Sequence, residues 1–258
     1  DSVDDAVRLL ELHYLANPDG AVDFALVTDW PDSAQEESSE DRRILDHARS
    51  EIDALAARYA HVGRRFYLLH RNRIWNDVDR IWMGWERKRG KLAELNALLL
   101  GTGETTFMDI SPRPPLGIRY VVTLDSDTRL PRGTIAALVG KMMHPVNTPV
   151  TDPDSGIVIA GHALMQPRVT PSLTTGEDAS VFQKVFSAGR GMDPYVFTVS
   201  DLYQDLLDQG SFTGKGIYDV RAFDSAMSGR FPESTVLSHD LIEGNLARAA
   251  LATDVQVV

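Results

Sequence analysis

The feature that most constrains the fold is a strongly β-forming run that ends in two carboxylates. Residues 120–124 (YVVTL) are aromatic, β-branched and apolar, and Asp125 and Asp127 follow directly. A short run of this kind, bounded by Pro131 and Gly133, predicts a central strand of an α/β sheet. Open α/β sheets bind ligands at the carboxyl ends of their strands. We therefore expect a functional site at the end of this strand.

Asp125 and Asp127 form an Asp-x-Asp motif, which predicts a metal site. Two carboxylates two residues apart can share one hard divalent cation, Mg²⁺ or Mn²⁺, which would in turn hold a diphosphate. The motif alone is weak evidence, because aspartate is also common in turns and at helix N-caps. A solvated turn is the alternative.

Predicted strands and helices alternate along the chain. This alternation favours an α/β fold with a mainly parallel central sheet and helices on both faces. We expect strands in residues 22–28, 65–70, 120–124, 156–165 and 255–258. We expect helices in residues 4–16, 37–59, 91–100, 134–143, 179–186, 200–208, 220–227 and 241–250.

A loop rich in Gly, Thr and Pro, residues 101–115, divides the chain. We predict a single domain over residues 1–258, with a nucleotide-binding half in residues 1–100 and a second half in residues 116–258 that carries the Asp-x-Asp motif and an acceptor site. The chain begins in a predicted helix and stops at a predicted strand, so we expect a fragment truncated at both ends.

Composition excludes several functional classes. The net charge of -11 argues against a nucleic-acid partner. Because there is no cysteine, disulfides, thiolate metal sites and cysteine nucleophiles are excluded. No apolar run approaches the about 20 residues of a membrane-spanning helix, so we expect the chain itself to be soluble.

Two stretches of the first half suit a nucleotide site. Asp29 ends the strand in ALVTDW, where its carboxylate can accept a hydrogen bond from a base or ribose, or can form an Asx turn. Lys91 belongs to the basic cluster RKRGK at a predicted helix start, where a bound phosphate would satisfy both the cations and the helix N-terminus. A solvated basic turn is the alternative for this cluster.

The glycine-rich segment GSFTGKG, residues 210–216, resembles a phosphate-binding P-loop only superficially. Its glycine spacing is short, and Gly216 stands where a Ser or Thr must bind magnesium. We interpret Phe212, Thr213, Gly214 and Lys215 as a sugar-binding rim in which Phe212 is an apolar platform. A glycine-rich hairpin is the alternative.

Asp240, in the string SHDLIEG, directly precedes an apolar helix. Together with Glu243 it makes a good capping box. The functional alternative is a general base at the mouth of the helix. The two roles partly exclude each other, because a capping carboxylate uses its lone pairs on backbone amides.

Taken in order, these motifs resemble the glycosyltransferase domain of the cyclic β-1,2-glucan synthase family. Long strings of the second half are similar to that family in near-continuous register: MQPRVTPSL (165–173), FQKVFS (182–187), DPYVFTVSDLYQDL (193–206) and GSFTGKGIYDV (210–220). The resemblance covers essentially all 258 residues, and strings of this length are far more specific than Asp-x-Asp.

The resemblance implies a GT-A fold related to processive inverting synthases. It implies UDP-glucose as donor, a growing β-1,2-glucan as acceptor, and Mg²⁺ or Mn²⁺ as cofactor. By the same resemblance, Asp29 contacts uridine, Lys91 lies near the diphosphate, Asp125 and Asp127 bind the metal, and Asp240 is the base.

Full-length members of that family are large membrane proteins, so the resemblance also implies a place on the cytoplasmic side of the bacterial inner membrane. Membrane contact would come only through parts that are missing here. Relatives carry a first strand before the opening helix and a Gln-x-x-Arg-Trp motif after the last strand. Neither is in this chain, which puts the activity of the isolated chain in doubt.

Two other functions remain open. The first is a donor-binding module that is catalytically incomplete. The second is a phosphatase with Asp125 as nucleophile and Asp127 as acid. It is disfavoured because such sites carry Thr or Val two residues after the second aspartate, where this chain has Arg129.

Overall fold

The computed structural model describes residues 2–170 except 64 and 109, and then residues 202–207, 210, 212–232 and 240–258. The chain divides into two compact units. Unit 1 contains the described residues of Asp1–Ile118 and Phe231–Leu237, and unit 2 contains those of Arg119–Arg230 and Ser238–Val258. The helix predicted at residues 179–186 lies outside the described residues.

Unit 1 is built on a three-stranded sheet in the order β1-β2-β5. Strands β1 (Phe24–Asp29) and β2 (Phe66–Arg71) are parallel, and β5 (Phe107–Met108) is antiparallel to β2. The other elements of the unit are α1 (Val3–Ala16), α2 (Ser39–Arg58), a 3₁₀ turn at Ala60–Val62, α3 (Arg87–Leu100), and a hairpin of β3 (Ile74–Asn76) and β4 (Ile81–Met83).

Helix α2 shows why the sequence forms these elements. Ser38 and Asp41 make a capping box, in which each side chain accepts the other residue's backbone N–H. Behind that cap, one buried stripe at helical spacing contains Leu45, Ala48, Ile52 and Leu55. The stripe faces the core of unit 1, where Phe66 is fully buried. Ile44, which the sequence pattern also turns inward, lies off this stripe and is 40% exposed.

Unit 2 contains a four-stranded sheet in the order β11-β9-β10-β6. Strand β10 (Gly216–Asp219) is antiparallel to both β6 (Tyr120–Thr123) and β9 (Leu164–Val169), whereas β11 (Ala249–Val257) is parallel to β9. The remaining described elements are α4 (Thr134–Met142), a 3₁₀ turn at Pro145–Asn147, β7 (Val150–Thr151), β8 (Val158–Ala160), α5 (Leu202–Leu207), α6 (Val220–Met227) and α7 (Asp240–Leu246).

The core of unit 2 lies between α4 and one face of this sheet. Leu138 and Met142 of α4 are fully buried against Met165 of β9 and Ile217 of β10. Tyr120 and other partly buried apolar residues of β6 and α4 pack against this cluster. Helix α4 therefore holds the central strands in place, and those strands carry several of the candidate site residues at their ends.

The predicted α/β class is confirmed, and the single, mainly parallel GT-A-like sheet is not confirmed. The described strands form several sheets, and β10 runs antiparallel to its neighbours. The strand at residues 120–123, predicted to be central, lies at one end of its sheet with all four residues half-buried. An edge strand with one covered face needs the same β-branched and aromatic residues as a central one.

Two predicted elements cover residues that have a different structure. The strand expected over residues 156–165 is split into β8 and β9. The helix expected over residues 241–250 ends at Leu246, and Ala249 already begins β11. Alanine favours helix by intrinsic propensity, but pairing with β9 overrides that preference. Among the described helices, none combines the length and apolarity needed to cross a bilayer.

His70 on β2 is a buried titratable group in the sheet of unit 1. It is 5% exposed, its Nδ1 lies 2.7 Å from Thr28 Oγ1, and its ring meets that of Trp30 edge-on at a centroid distance of 4.0 Å. Burial lowers the pKa of His70 to about 4, although the nearby Asp29 charge acts in the opposite direction. The folded chain therefore holds this imidazole neutral at neutral pH.

We predict that His70 makes unit 1 less stable below pH 6.5. The unfolded histidine gains a proton near pH 6.5, whereas the folded one resists protonation down to about pH 4, so stability falls as pH falls through this window. Between pH 7.5 and 5.0 the loss due to His70 should be about 2 kcal/mol.

His70→Asn keeps a polar partner for Thr28 but does not titrate, so it should remove this part of the pH dependence. Urea unfolding can be followed by tryptophan fluorescence, since all 4 tryptophans lie in unit 1. The carboxylates titrate in both the unsubstituted chain and His70→Asn. Their contribution to the pH dependence of stability therefore cancels when the two proteins are compared. Equal pH dependence in the two proteins would contradict the prediction.

Candidate functional site

In unit 1, the carboxyl ends of two parallel strands bring Asp29 together with Arg71. The two residues are opposite each other in the β1–β2 register. Arg71 Nε donates to Asp29 Oδ1 at 2.6 Å, and Lys91 Nζ lies 3.0 Å from Asp29 Oδ2. Each oxygen of the Asp29 carboxylate therefore contacts one cation.

Arg71 is fully buried and ties the strand ends to the start of α3. Its Nη1 donates to the carbonyl of Trp85 at 3.0 Å and to Glu94 Oε1 at 3.1 Å, and its Nη2 donates to the carbonyl of Arg87 at 3.0 Å. Glu94 in turn accepts from the backbone N–H of Thr106 at 2.7 Å and from its hydroxyl. One guanidinium thus fixes Asp29 and the segment that leads into α3.

The Asp29 carboxylate is an ionised acceptor at neutral pH. Burial alone would raise its pKa, but the hydrogen bond from Arg71 and the charges of Lys91 and Arg71 outweigh burial and hold the pKa below its ordinary value. Gly84 lets the hairpin pass close to this pair, because a Cβ there would lie 3.0 Å from Arg71 Nη2 and 3.1 Å from Asp29 Cγ. Asp29 can accept an N–H or O–H from a ligand, but it cannot supply a proton.

The basic cluster at residues 87–91 is largely neutralised by carboxylates. Helix α3 begins at Arg87, so Lys91 lies one turn inside the helix rather than at its start. Arg87 pairs with Asp32 at 2.8 Å, and Arg89 pairs with Glu86 at 2.7 Å. Ion pairing with carboxylates therefore accounts for two of these cations, although the residues form the start of α3 and not a solvated turn. Phosphate binding by Lys91 stays a prediction.

In unit 2, the antiparallel pairing of β6 and β10 brings Asp125 together with Lys215. Gly216 is opposite Thr123 in the register, so Asp125 just after β6 and Lys215 just before β10 lie at the same end of the pair. Lys215 Nζ lies 2.6 Å from Asp125 Oδ2, with the two side chains 20% and 38% exposed. The Asp-x-Asp motif and the predicted acceptor segment therefore meet in one ion pair.

Asp127 is exposed, and the Thr128 hydroxyl donates to its Oδ1 at 3.3 Å. The backbone N–H of Thr128 donates to the carbonyl of Asp125 at 3.1 Å, which closes a turn around the motif. A turn, the alternative interpretation of Asp-x-Asp, is thus present. It is compatible with metal binding because it uses backbone atoms and leaves both carboxylates at the strand end.

The donor set of this turn fits a hard cation only in part. Carboxylate oxygens suit Mg²⁺ and Mn²⁺, and Mg²⁺ is often held by one or two carboxylates together with phosphate and water oxygens. Within the described part of the chain, no group of three or more His, Cys, Asp or Glu side chains could hold a metal. Asp125 and Asp127 would therefore need oxygens from the ligand, and a cation on Asp125 Oδ2 would have to displace Lys215.

The predicted acceptor segment is arranged differently from the expectation. Phe212 is only 3% exposed, so it is not the open apolar platform that the sequence suggested. Its backbone and Cβ pack against Gly244 of α7, where an added Cβ would lie 3.1 Å from Phe212 Cβ. Thr213 is held by Gln166 of β9, whose Oε1 accepts from the Thr213 N–H at 2.7 Å and from its hydroxyl at 3.2 Å. Binding of an acceptor by residues 212–215 stays a prediction.

Asp240 is the first residue of α7 and is half-buried. Glu243, its predicted capping partner, is 2% exposed and close to the buried Tyr218. Burial, and next the charge of Glu243, raise the pKa of Tyr218. The residue before Asp240 lies outside the described residues, and the cap and base interpretations of Asp240 both stay predictions.

Sequence reasoning missed Arg71 and Gln166, which position candidate site residues without being candidates themselves. The predicted second strand stopped at His70, one residue short of Arg71. The sequence did contain a signal for Arg71. The last residues of two neighbouring parallel strands lie side by side, so a residue at the end of the second strand is expected next to Asp29. The sequence contains no comparable signal for Gln166. A polar residue inside a predicted buried strand does not indicate which distant residue it will hydrogen-bond.

Comparison with known proteins shows that the chain is similar in sequence to part of a glucan synthase. No protein family model matches it. It is 56% identical, over 259 aligned residues, to a segment of a protein named cyclic beta-(1,2)-glucan synthase NdvB from Rhizobium meliloti (strain 1021). The match covers 100% of this chain and 9% of that protein. The chain therefore spans a small part of the length of this relative.

We predict that Arg71→Met strongly destabilises unit 1. The substitution leaves Asp29 and Glu94 partly or fully buried without their shared cation, and breaking a buried ion pair in this way costs about 3–5 kcal/mol. Urea unfolding at pH 7.5, followed by tryptophan fluorescence, measures the loss. Arg42→Met is a matched control, because it removes an exposed pair with Glu37 in the same unit and should change stability little. Equal effects of the two substitutions would contradict the prediction.

Proposed function

We propose that the chain is a glycosyltransferase segment that transfers glucose from UDP-glucose to a growing β-1,2-glucan, with inversion and with help from a divalent cation. The observation that carries the proposal is 56% identity over the whole chain to a segment of a cyclic β-(1,2)-glucan synthase. By the same similarity, we propose that it acts within a longer protein on the cytoplasmic side of a bacterial inner membrane, in a GT-A-type fold.

We assign the two donor-binding residues of unit 1, Asp29 and Lys91, to different parts of the nucleotide. One oxygen of the Asp29 carboxylate is fixed by Arg71, and the other contacts the ammonium group of Lys91. We assign that second oxygen to an N–H or O–H of uridine, and Lys91 to the diphosphate. Support comes from charge: Asp29 is an ionised acceptor, and a lysine that releases it can pair with phosphate.

In unit 2, Asp125 and Asp127 are the residues that would hold the cation. A bound Mg²⁺ or Mn²⁺ would supply neutralisation of the charge that develops on the departing UDP. Thr213, Gly214 and Lys215 are assigned to the acceptor through their polar atoms. Phe212 supports that segment from the interior.

Asp240 is the proposed general base. In the reaction, the 2-hydroxyl oxygen of the acceptor forms a bond to the anomeric carbon of glucose. The bond from that carbon to the phosphate oxygen breaks, UDP leaves with the electron pair, and the hydroxyl proton passes to Asp240. Attack from the face opposite UDP inverts the anomeric configuration. A positioned base of this kind contributes roughly 10²–10⁴ in rate.

We predict that the chain binds UDP more tightly with Mn²⁺ than with EDTA, because Asp125 and Asp127 would hold a cation that neutralises the charge of the diphosphate. Asp127→Ala should abolish this metal-dependent part, whereas Asp154→Ala, at an exposed aspartate of unit 2, should leave it intact. Isothermal titration calorimetry measures both. Equal UDP affinity with EDTA and with Mn²⁺ in the unsubstituted chain would refute a metal-dependent donor site.

The same preparation separates the two other functions. Binding of UDP-glucose without transfer of labelled glucose would identify a donor-binding module. Release of phosphate from simple phosphate esters, lost in Asp125→Asn, would identify a phosphatase.

We predict that Asp240→Asn, made in an enzyme that contains the complete domain, lowers glucosyl transfer by roughly 10² or more, because asparagine cannot accept the proton at neutral pH. Asparagine caps a helix about as well as aspartate, so the melting temperature and UDP affinity should stay nearly unchanged. Asp240→Ala, which loses the cap as well, is the matched comparison. If Asp240→Asn melts the fold but spares the specific activity of the folded fraction, Asp240 is a cap and the base lies elsewhere.

A further inference from the structure

The ammonium group of Lys215 contacts the carboxylate that we assign to the divalent cation. Its Nζ lies 2.6 Å from Asp125 Oδ2, so the two groups are in direct contact and form a charge-assisted hydrogen bond. A divalent cation would coordinate carboxylate oxygens from about 2.0–2.6 Å. The ammonium group and a cation on that oxygen would therefore compete for the same side of Asp125 and would repel each other.

The Lys215–Asp125 ion pair can separate more easily than the Asp29–Arg71 pair. Lys215 and Asp125 are 20% and 38% exposed, so water can hydrate either group when they separate. Arg71, by contrast, is fully buried and bonded to several partners. Lysine is a compact charge on a flexible stem, which allows the ammonium group to move without the backbone.

The backbone on either side of Lys215 is fixed. On one side, Thr213 donates to Gln166, and Phe212 is buried beside Gly244. On the other side, Gly216 is the first residue of β10 and pairs with Thr123 of β6. Departure of the ammonium group from Asp125 would therefore leave the segment in place and the lysine beside the bound cation.

We propose that Lys215 is an internal counter-ion of Asp125 that gives way to the divalent cation of the donor. This inference rests on the proposed function, because it takes the metal assignment of Asp125 and Asp127 as its starting point. In the metal-free chain the lysine neutralises Asp125. When a cation takes its place, the lysine would be released within the segment that we assign to the acceptor.

The test is the affinity of the 258-residue chain for Mn²⁺ alone, measured from the electron paramagnetic resonance signal of free Mn²⁺. Lys215→Met removes the competing charge and should tighten Mn²⁺ binding by on the order of 3- to 10-fold, the range expected for losing a partly exposed, charge-assisted contact. Lys215→Arg keeps the charge and should bind Mn²⁺ much as the unsubstituted chain does. If Lys215→Met folds poorly, Lys215→Gln gives the same neutral comparison.

Lys141→Met is the matched control. Lys141 forms a pair with Asp254 at 2.8 Å, also in unit 2 and also partly exposed, and the carboxylate that it contacts is outside the Asp-x-Asp motif. Its loss should leave Mn²⁺ affinity unchanged. A general effect of net charge would instead tighten Mn²⁺ binding equally in Lys141→Met and Lys215→Met, and that result would overturn the inference.

The outcomes separate this inference from the proposed function. If UDP binding to the unsubstituted chain depends on Mn²⁺ but Lys215→Met binds Mn²⁺ no more tightly, the counter-ion role is wrong and the metal-dependent donor site stands. If UDP binds the unsubstituted chain equally well in EDTA, the metal assignment fails, and the exchange fails with it. Tighter Mn²⁺ binding in Lys215→Met and Lys215→Gln alone supports the exchange.

Discussion

The buried guanidinium of Arg71 is the interaction on which the structure of unit 1 depends. Burying a cation away from water costs free energy unless nearby carboxylates balance its charge and acceptors take all of its N–H groups. Here two carboxylates supply the charge, and the carbonyls of Trp85 and Arg87 take further N–H groups. The groups that accept hydrogen bonds from the Arg71 guanidinium must all lie close to it. Arg71 therefore fixes the end of β1, the position of the β3–β4 hairpin near it and the start of α3 together.

The two carboxylate sites differ in how firmly their cations are held, and this difference matters for ligands. Asp29 is kept ionised by Arg71, which cannot leave without uncovering a buried charge, so the Asp29 carboxylate is held in one position. Asp125 has a partner that water can replace at little cost. A fixed acceptor suits recognition of neutral N–H and O–H groups, whereas an exchangeable pair suits a site whose ligand is itself a cation.

Local sequence patterns predicted the elements that local forces decide. The capped, periodic helices α1 and α2 and the strands β1 and β2 lie within a few residues of their expected bounds. What the sequence could not show depends on pairing between distant segments. The helix expected after Leu246 gives way to β11 because β9 is available as a partner, and Lys215 reaches Asp125 because β6 and β10 pair in one register. The roles of the site residues themselves stay predictions, since they concern ligands.

The burial of Phe212 changes how residues 212–215 can work. A ring packed in the interior cannot stack on a sugar, so recognition by this segment has to come from its polar atoms. The backbone N and Cβ of Phe212 lie close to Gly244, where even a methyl group would crowd the carbonyl of Gly210 at 2.8 Å. Because Gly244 belongs to the helix that begins with Asp240, this close contact sets the position of the proposed base relative to the proposed acceptor residues. Phe212 therefore fixes the geometry of the segment, and the proposed contacts to an acceptor are left to its polar neighbours.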